Sequence, residues 1–279
     1  MTPTSDLPAL YNSHPLVLWV EEEETRTYLA TAWQDGDIKL LVAGGYANID
    51  AIVKAAEKDK IPHVFGVRDR DFWRSNRARW STDPSLRVFT GDTFEIENLL
   101  LDATAMAASE VNTAEKDAVT LQAHLDALAA PLAWWMSCRK TIVHFRDATT
   151  KDSIEHPTRG AVTSRPIALS KIVGSPWWTT TLPGIGHTVT EAEADRLLDL
   201  HHQEYSSALQ DGSWRTSFSG KEILGEMRSH MWTRNQEAGL GGKLRLFREI
   251  AVAQRALNRV PAELNELRAV LRARVDRPP

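Results

Sequence analysis

The stretch HVFGVRDRDF, residues 63–72, decides the expected fold because an apolar run passes directly into alternating charges. Four consecutive apolar or small residues, VFGV, are typical of a strand buried in a parallel sheet. If the chain stays extended, Asp69 and Asp71 project to the same side, since side chains alternate along a strand. The stretch therefore predicts a buried strand that ends at two neighbouring carboxylates.

Strand-like and helical patterns alternate through the first hundred residues on either side of this stretch. The pattern predicts four strands, at residues 16–20, 38–43, 63–67 and 86–89. Helices are predicted between and after them, at residues 23–33, 48–58 and from about 94 to 106. Such alternation predicts an α/β domain with a mostly parallel sheet flanked by helices, assigned here to residues 1–110.

Beyond residue 110 the alternation stops, and long helical patterns predict a mainly α-helical C-terminal domain over residues 111–279. The predicted helices are residues 114–129, 132–145, 191–209, 221–234, 242–259 and 262–275. The segment 147–186 is rich in Thr, Ser, Pro and Gly, which predicts a connecting segment without strong helical pattern.

Composition narrows the class of protein. The formal net charge is -4, which argues against a protein coated in basic surface, although the C-terminal region is locally basic. Cys138 is the only cysteine, so an intramolecular disulfide is excluded and a buried thiol is expected. No apolar run approaches about 18 residues, and the N-terminus lacks a signal-peptide pattern, so we expect a cytoplasmic protein without membrane segments.

Acidic residues follow three of the four predicted strands. Glu21 follows the first strand, Asp69 and Asp71 follow the third, and Glu95 and Glu97 come shortly after the fourth. Because loops converge at the carboxyl ends of parallel strands, these side chains are expected to lie close together. Clustered carboxylates are typical ligands of Mg²⁺. The alternative is a turn with two solvated aspartates and an acidic helix N-terminus that only complements the helix dipole.

Four stretches together resemble the TOPRIM family, which is the metal-binding fold of topoisomerases, primases and OLD-type nucleases. They are LWVEEEETRTYLATAW, VAGGYANIDAIV, IPHVFGVRDRDFW and FTGDTFEIENLLLD, and the resemblance covers residues 16–102. Within the family the chain is most similar to the TOPRIM effectors of PARIS-type anti-phage systems, which work beside an ABC-type ATPase. One departure is that Glu22 and Thr25 stand where the first family motif has glycine and aspartate.

The resemblance implies a nuclease that hydrolyses phosphodiester bonds of RNA such as tRNA, or of DNA, with Mg²⁺ or Mn²⁺. By the same likeness, Glu21, Asp69, Asp71 and Glu97 would hold the metal and carry catalysis. Lys221 in FSGKEIL resembles the family's Gly-Lys element and would approach the scissile phosphate. The resemblance also implies an ABC-type ATPase partner. The sequence does not decide whether the chain forms a homodimer. The altered turn at Glu22 and Thr25 leaves a second reading, a non-catalytic partner-binding sensor with a weak or vestigial metal site.

Arginines supply the expected contacts to nucleic acid. Arg68 and Arg70 flank the acidic pair and would clamp phosphates or only offset carboxylate charge. Arg245, Arg248, Arg255 and Arg259 recur at spacings that share one helical face, which suits a phosphate backbone or an acidic partner. The paired tryptophans at 134–135 and 177–178 are expected in the core rather than stacked on bases. GLGGK, residues 239–243, lacks the spacing and preceding strand of a phosphate-binding loop, so we do not expect one there.

Overall fold

The computed structural model describes residues 11, 14–72, 86–149, 156–186, 189–232 and 239–275. It contains a four-stranded sheet in the order β2-β1-β3-β4. The strands are Leu16–Val20 (β1), Ile38–Val42 (β2), Val64–Arg68 (β3) and Val88–Thr90 (β4). Every neighbouring pair is parallel. The predicted α/β class with a parallel sheet is therefore confirmed.

The strand order reverses at β1, because β2 is added on one side of β1 and β3 on the other. The chain moves from β1 to β2 on one side, then crosses back so that β3 pairs with the other side of β1. The carboxyl ends of β1 and β3 therefore flank a topological switch point, which is where ligand crevices form in open α/β sheets.

Two helices, Glu23–Trp33 (α1) and Tyr46–Lys58 (α2), connect the first three strands. The apolar face predicted for α1 is buried at Tyr28, Leu29, Ala32 and Trp33. Helix α2 packs so closely on β3 that a Cβ atom at Gly66 would lie 2.2 Å from Cγ2 of Ile49. The glycine in VFGV therefore sets the approach of α2 to the sheet.

The described part of the chain after β4 is helical. It contains α3 (Ala103–Ala108), α4 (Ala118–Ala129), α5 (Ala133–Thr149), α6 (Arg165–Val173), α7 (Leu182–Gly184), α8 (Glu191–Asp211), α9 (Trp214–Ser217), α10 (Gly220–Met231), α11 (Gly239–Ala256) and α12 (Ala262–Val275). Short 3₁₀ helices span Ile96–Leu100, Ala130–Leu132 and Arg159–Ala161, and a π-helix spans Trp177–Thr181. None of these described helices is both long and apolar enough to cross a lipid bilayer.

Several predicted elements differ from the structure, among them the helix predicted at 242–259, which spans Gly239–Ala256. The helix predicted from about 94 to 106 is a 3₁₀ helix followed by α3, because extended Asp102 caps α3 by accepting from the N–H groups of Thr104 and Ala105. The helix predicted from 114 begins at Ala118, where the Asp117 carboxylate accepts the Thr120 N–H at 2.7 Å. The segment 147–186, expected to be a connection, contains the whole of α6.

The chain forms two compact units. The first comprises residues 1–122 and 227–279, and the second comprises residues 123–226. The sequence placed a boundary near residue 110 and assigned all later helices to one domain. The two C-terminal helices instead belong to the unit that contains the sheet, because α11 packs on α1 and α12 packs on β1.

Candidate metal site

Glu21 and Asp69 meet at the switch point of the sheet. Each directly follows its strand, and the Asp69 N–H donates a hydrogen bond to Oε1 of Glu21 at 3.1 Å. Strands β1 and β3 are hydrogen-bonded neighbours, so the residues that follow them lie close together, as predicted. The backbone bond holds the Glu21 carboxylate at the end of β3.

Asp71 reaches the same place by a turn rather than by extended chain. Strand β3 ends at Arg68, and Asp71 has a left-handed backbone with φ of 47°. Its N–H donates to the carbonyl of Phe94 at 2.8 Å, and Phe72 packs edge-on against the Phe94 ring. The predicted extended backbone from Asp69 to Asp71 is therefore wrong, because the chain turns at Asp71. Aspartate is one of the few non-glycine residues that tolerate this conformation.

The Glu-Asn-Leu element forms the third side of the cluster. Oδ1 of Asn98 accepts the Glu95 N–H at 2.8 Å, which closes the first turn of the 3₁₀ helix. The Ile96 N–H donates to Oδ1 of Asp69 at 3.0 Å, and the Glu97 side chain is only 2% exposed. Asn98 thus has a capping role here, while its turn carries Glu95 and Glu97 toward Asp69.

The side chains of the cluster interact electrostatically; they are the carboxylates of Glu21, Asp69, Asp71, Glu95 and Glu97. Burial raises the pKa of Asp69 well above its ordinary value of 3.8, and the negative charges of Glu97, Glu21, Asp71 and Glu95 raise it further. Burial is also the main cause that raises the pKa of Glu21, partly opposed by the Asp69 N–H and by the charge of Arg68. Desolvated carboxylates this close favour either protonation or a bound cation.

Sequence reasoning missed Lys243, which lies on the first turns of α11. Its ammonium nitrogen is 2.7 Å from Oε1 of Glu24, 3.8 Å from Oε1 of Glu97 and 3.9 Å from Oε2 of Glu22. GLGGK is the start of a helix, and its lysine faces acidic side chains rather than forming a phosphate loop. The sequence shows only a single lysine in a glycine-rich segment. That pattern does not identify the side chains that the lysine contacts.

The arginines beside the acidic pair face the protein. The Arg68 side chain is 2% exposed, its Nη1 lies 2.6 Å from Oδ2 of Asp50, and its guanidinium lies 4.9 Å above the Tyr46 ring. Nη1 of Arg70 donates to the carbonyl of Asp92 at 2.6 Å. Both contacts favour the charge-offsetting and structural role over phosphate clamping.

The four arginines near α11 have different surroundings. Arg248 is half exposed and contacts Glu249, whereas Arg255 donates to the Thr31 carbonyl at 2.7 Å. Arg259 lies beyond the end of α11 and binds both carboxylate oxygens of Asp102 at 2.7 and 3.1 Å. Arg245 is partly exposed. Contact of this face with nucleic acid stays a prediction.

The remaining predicted residues lie in the second unit. Lys221 is at the start of α10, and its role at a phosphate stays a prediction. Trp135 and Trp177 are buried, as expected for core tryptophans, whereas Trp134, which stacks on the His202 ring, and Trp178 are only partly buried. Cys138 is fully buried, and burial raises the pKa of its thiol to about 12.

The donor set fits a hard divalent cation in its chemistry, because it consists of desolvated carboxylates whose charges repel one another. Among the described residues, however, no three His, Cys, Asp or Glu side chains converge closely enough to hold a metal ion. Glu21, Asp69 and Glu95 line a pocket whose walls also include Leu29, Leu99 and Leu264.

Comparison of the chain with models of known protein families, with curated proteins and with solved structures finds no match.

Proposed function

We propose that the chain is a divalent-metal-dependent nuclease whose sheet-containing unit is a TOPRIM-like domain. The observation that carries this proposal is the position of the Asp69 carboxyl group among four other carboxylates at the switch point. Acids from the end of β1, the turn after β3 and the 3₁₀ helix meet there. A buried acidic cluster at the carboxyl edge of a parallel sheet suits a hard cation and an anionic phosphate substrate.

Glu21, Asp69 and Asp71 would hold the ion, with Glu97 beside them. When bound, Mg²⁺ or Mn²⁺ supplies a Lewis acid for the phosphate oxygen and a more acidic water. The chain's own contribution is pre-organisation: the Asp69 N–H fixes Glu21, and the Ile96 N–H fixes Asp69. By the sequence resemblance, Glu97 would bind a second ion or take a proton from water, and Lys221 would approach the phosphate.

The substrate class and the biological setting rest on the sequence resemblance. It supports RNA such as tRNA, or DNA, as the substrate of a toxic effector in bacterial anti-phage defence. It also supports an ABC-type ATPase as the controlling partner in the cytoplasm. An effector of this kind is held inactive until its trigger arrives, so the test must include the partner.

The test is cleavage of tRNA and of plasmid DNA by the full chain, with Mg²⁺ or Mn²⁺ and with EDTA, alone and with the ATPase and its trigger. We expect metal-dependent cleavage that Asp69→Asn and Asp71→Asn reduce at least about 100-fold. Asparagine is the matched change because it tolerates the left-handed backbone at 71 and keeps the acceptor for Ile96 at 69. Absence of metal-dependent cleavage under all these conditions would contradict the nuclease proposal.

A second function, a non-catalytic partner-binding sensor, is favoured by one observation. The Lys243 ammonium already neutralises part of the acidic cluster, so a metal ion is not required to balance its charge. This function predicts binding of the ATPase that Asp69→Asn does not alter, together with no cleavage of either substrate.

A further inference from the structure

We infer that the stacked side chains of Trp134 and His202 form a pH-sensitive contact between α5 and α8, and that protonation of His202 loosens the packing of these two helices. The contact lies within the second unit of the chain. The inference therefore goes beyond the proposed nuclease activity, and it does not depend on a bound metal.

The His202 ring is held between the two helices with one nitrogen unsatisfied. Helices α5 and α8 pack against each other, and the rings of Trp134 and His202 lie almost parallel, with centroids 3.5 Å apart and planes inclined by 11°. Nε2 of His202 lies 3.4 Å from the hydroxyl oxygen of Ser206. Nδ1 of His202 is buried, and no group of the described residues forms a hydrogen bond with it.

The neighbouring His201 differs from His202 in this respect. It is also buried, but the Thr141 hydroxyl lies 2.9 Å from its Nδ1. That hydroxyl donates its own hydrogen to the Ser137 carbonyl at 2.8 Å, so it accepts from the Nδ1–H group of His201. A proton on Nδ1 of His201 therefore has an acceptor, whereas the described residues offer none to a proton on Nδ1 of His202.

Protonation of His202 would place an N–H group at this buried position. A buried donor without an acceptor disfavours the state that contains it by about 5- to 150-fold. Attraction between a charged imidazole and the Trp134 ring would favour the same state by only about 2- to 5-fold. The missing acceptor outweighs the attraction, so the folded protein prefers the neutral ring. In agreement, burial lowers the pKa of His202 below its ordinary value of 6.5.

The charges around His202 do not reverse this preference. Among the described residues, Asp199 is the charged group that acts on the ring, and it raises the pKa against the effect of burial. Arg165 of α6 binds both oxygens of Asp199, at 2.7 and 2.9 Å, and so offsets its charge. Other charged or titratable side chains on α5, α8 and α9 contact one another or aromatic rings: Lys140 with Glu204, His144 with His201, and Arg215 with Trp214.

The sign of the pH dependence follows from the preference for the neutral ring. The stabilising contribution of His202 is fully present above about pH 6.5, and it is lost as the pH falls through the lower pKa of the folded state. Helices α5 and α8 should therefore be packed most tightly at neutral pH and should separate more often in mildly acidic solution.

The test is hydrogen exchange of the full chain between pH 7.5 and 5.5, followed by mass spectrometry and corrected for the intrinsic pH dependence of exchange. In the wild type, we expect the opening equilibrium of peptides from α5 and α8 to rise at least about threefold in acid. His202→Phe keeps a ring on Trp134 but cannot be protonated, so its opening should change less than about 1.5-fold. His202→Gln is a second variant that cannot be protonated. Peptides from α2 in the first unit are the internal reference.

A matched control is His124→Gln, which removes a histidine of α4 and should keep the wild-type pH dependence. An equal rise in the wild type and in both His202 variants would assign the effect to another group and overturn the inference. No rise in the wild type would overturn it as well. Tighter packing of the wild type in acid would show that the attraction of the charged ring to Trp134 dominates, which is the opposite of the inference.

Discussion

The hydroxyl group of Tyr28 donates a hydrogen bond to Oε1 of Gln254 at 2.7 Å, and this contact joins α1 to α11. The Gln254 amide donates in turn to the carbonyl of Leu99 at 2.7 Å. Tyr28 and Gln254 are both fully buried. Through these bonds α11, which carries Lys243, is fixed against the helix that follows Glu21 and the turn that carries Glu97.

Removing this network should loosen α11. Tyr28→Phe leaves the Gln254 oxygen buried without its donor, which should lower the free energy of unfolding by about 1–3 kcal/mol. Urea denaturation measures the change. In the double variant with Gln254→Leu, the two costs should be less than additive, because the second change removes the acceptor that the first leaves unsatisfied. Strict additivity would show that the two side chains do not interact.

The close approach of α2 to β3 makes Gly66 sensitive to a single methyl group. Gly66→Ala should cost about 1–3 kcal/mol of unfolding free energy, because the new Cβ meets Cγ2 of Ile49. Gly36→Ala is the matched control, since a Cβ there meets nothing within 4 Å. In the double variant with Ile49→Ala, the two costs measured by urea denaturation should be less than additive, because the smaller side chain at 49 removes the atom that the new Cβ meets. Equal stability of Gly66→Ala and Gly36→Ala would contradict the packing described here.

The ion pairs at Asp35 should make the docking of α12 pH-dependent. Burial alone would raise the pKa of Asp35, but hydrogen bonds from Arg268, the Asp37 N–H and Arg272 outweigh it and lower the pKa below 3.8. The folded state thus prefers the carboxylate, so the stabilisation is present above pH 3.8 and disappears as pH falls through the lower folded value.

Asp35→Asn should therefore destabilise the protein at pH 7 by about 1 kcal/mol, a value kept small because both arginines are partly exposed. The difference from wild type should shrink in denaturation curves taken below pH 3.8. Asp37→Asn is the control. The Asp37 carboxylate is exposed, and its distance of 3.9 Å from Arg272 is too long for a hydrogen bond. A deficit that stayed constant across pH would argue against a role for the Asp35 charge.

Charge repulsion between Asp69 and the neighbouring carboxylates should lower the stability of the metal-free protein. In EDTA at pH 7, Asp69→Asn should raise the Tm by about 2–4 °C, since it removes a desolvated charge beside four carboxylates. Mg²⁺ should raise the Tm of the wild type but not of the variant. Differential scanning fluorimetry measures both effects, with exposed Asp59→Asn as control. An unchanged or lower Tm of the variant in EDTA would count against repulsion in the cluster.

The arginines near α11 should separate into two groups. Arg248→Ala should weaken binding of a single-stranded RNA oligonucleotide and reduce its salt dependence, because the side chain is exposed. Arg255→Ala should lower stability by about 1 kcal/mol, because its guanidinium bonds the Thr31 carbonyl. Fluorescence anisotropy and thermal unfolding distinguish the two. Equal loss of RNA binding in both variants would contradict this separation.

The sequence by itself determined the elements and much of their order. Alternating apolar runs and helical faces located β1, α1 and α12 to within a residue, because those patterns are local and their caps are encoded nearby. The same runs gave the parallel sheet and placed Glu21 and Asp69 at strand ends. The left-handed turn at Asp71 escaped prediction, because it depends on the Phe94 carbonyl supplied by a distant segment.

Only the tertiary structure decided how the site is surrounded. Lys243 lies more than 200 positions from Glu24 in the sequence, and no periodicity relates the two. The grouping of α11 and α12 with the sheet also depends on long-range contacts, including the Tyr28–Gln254 bond and the pairing of Asp35 with Arg268. Local patterns fix what each segment forms, whereas burial of faces and pairing of charges fix which segments meet.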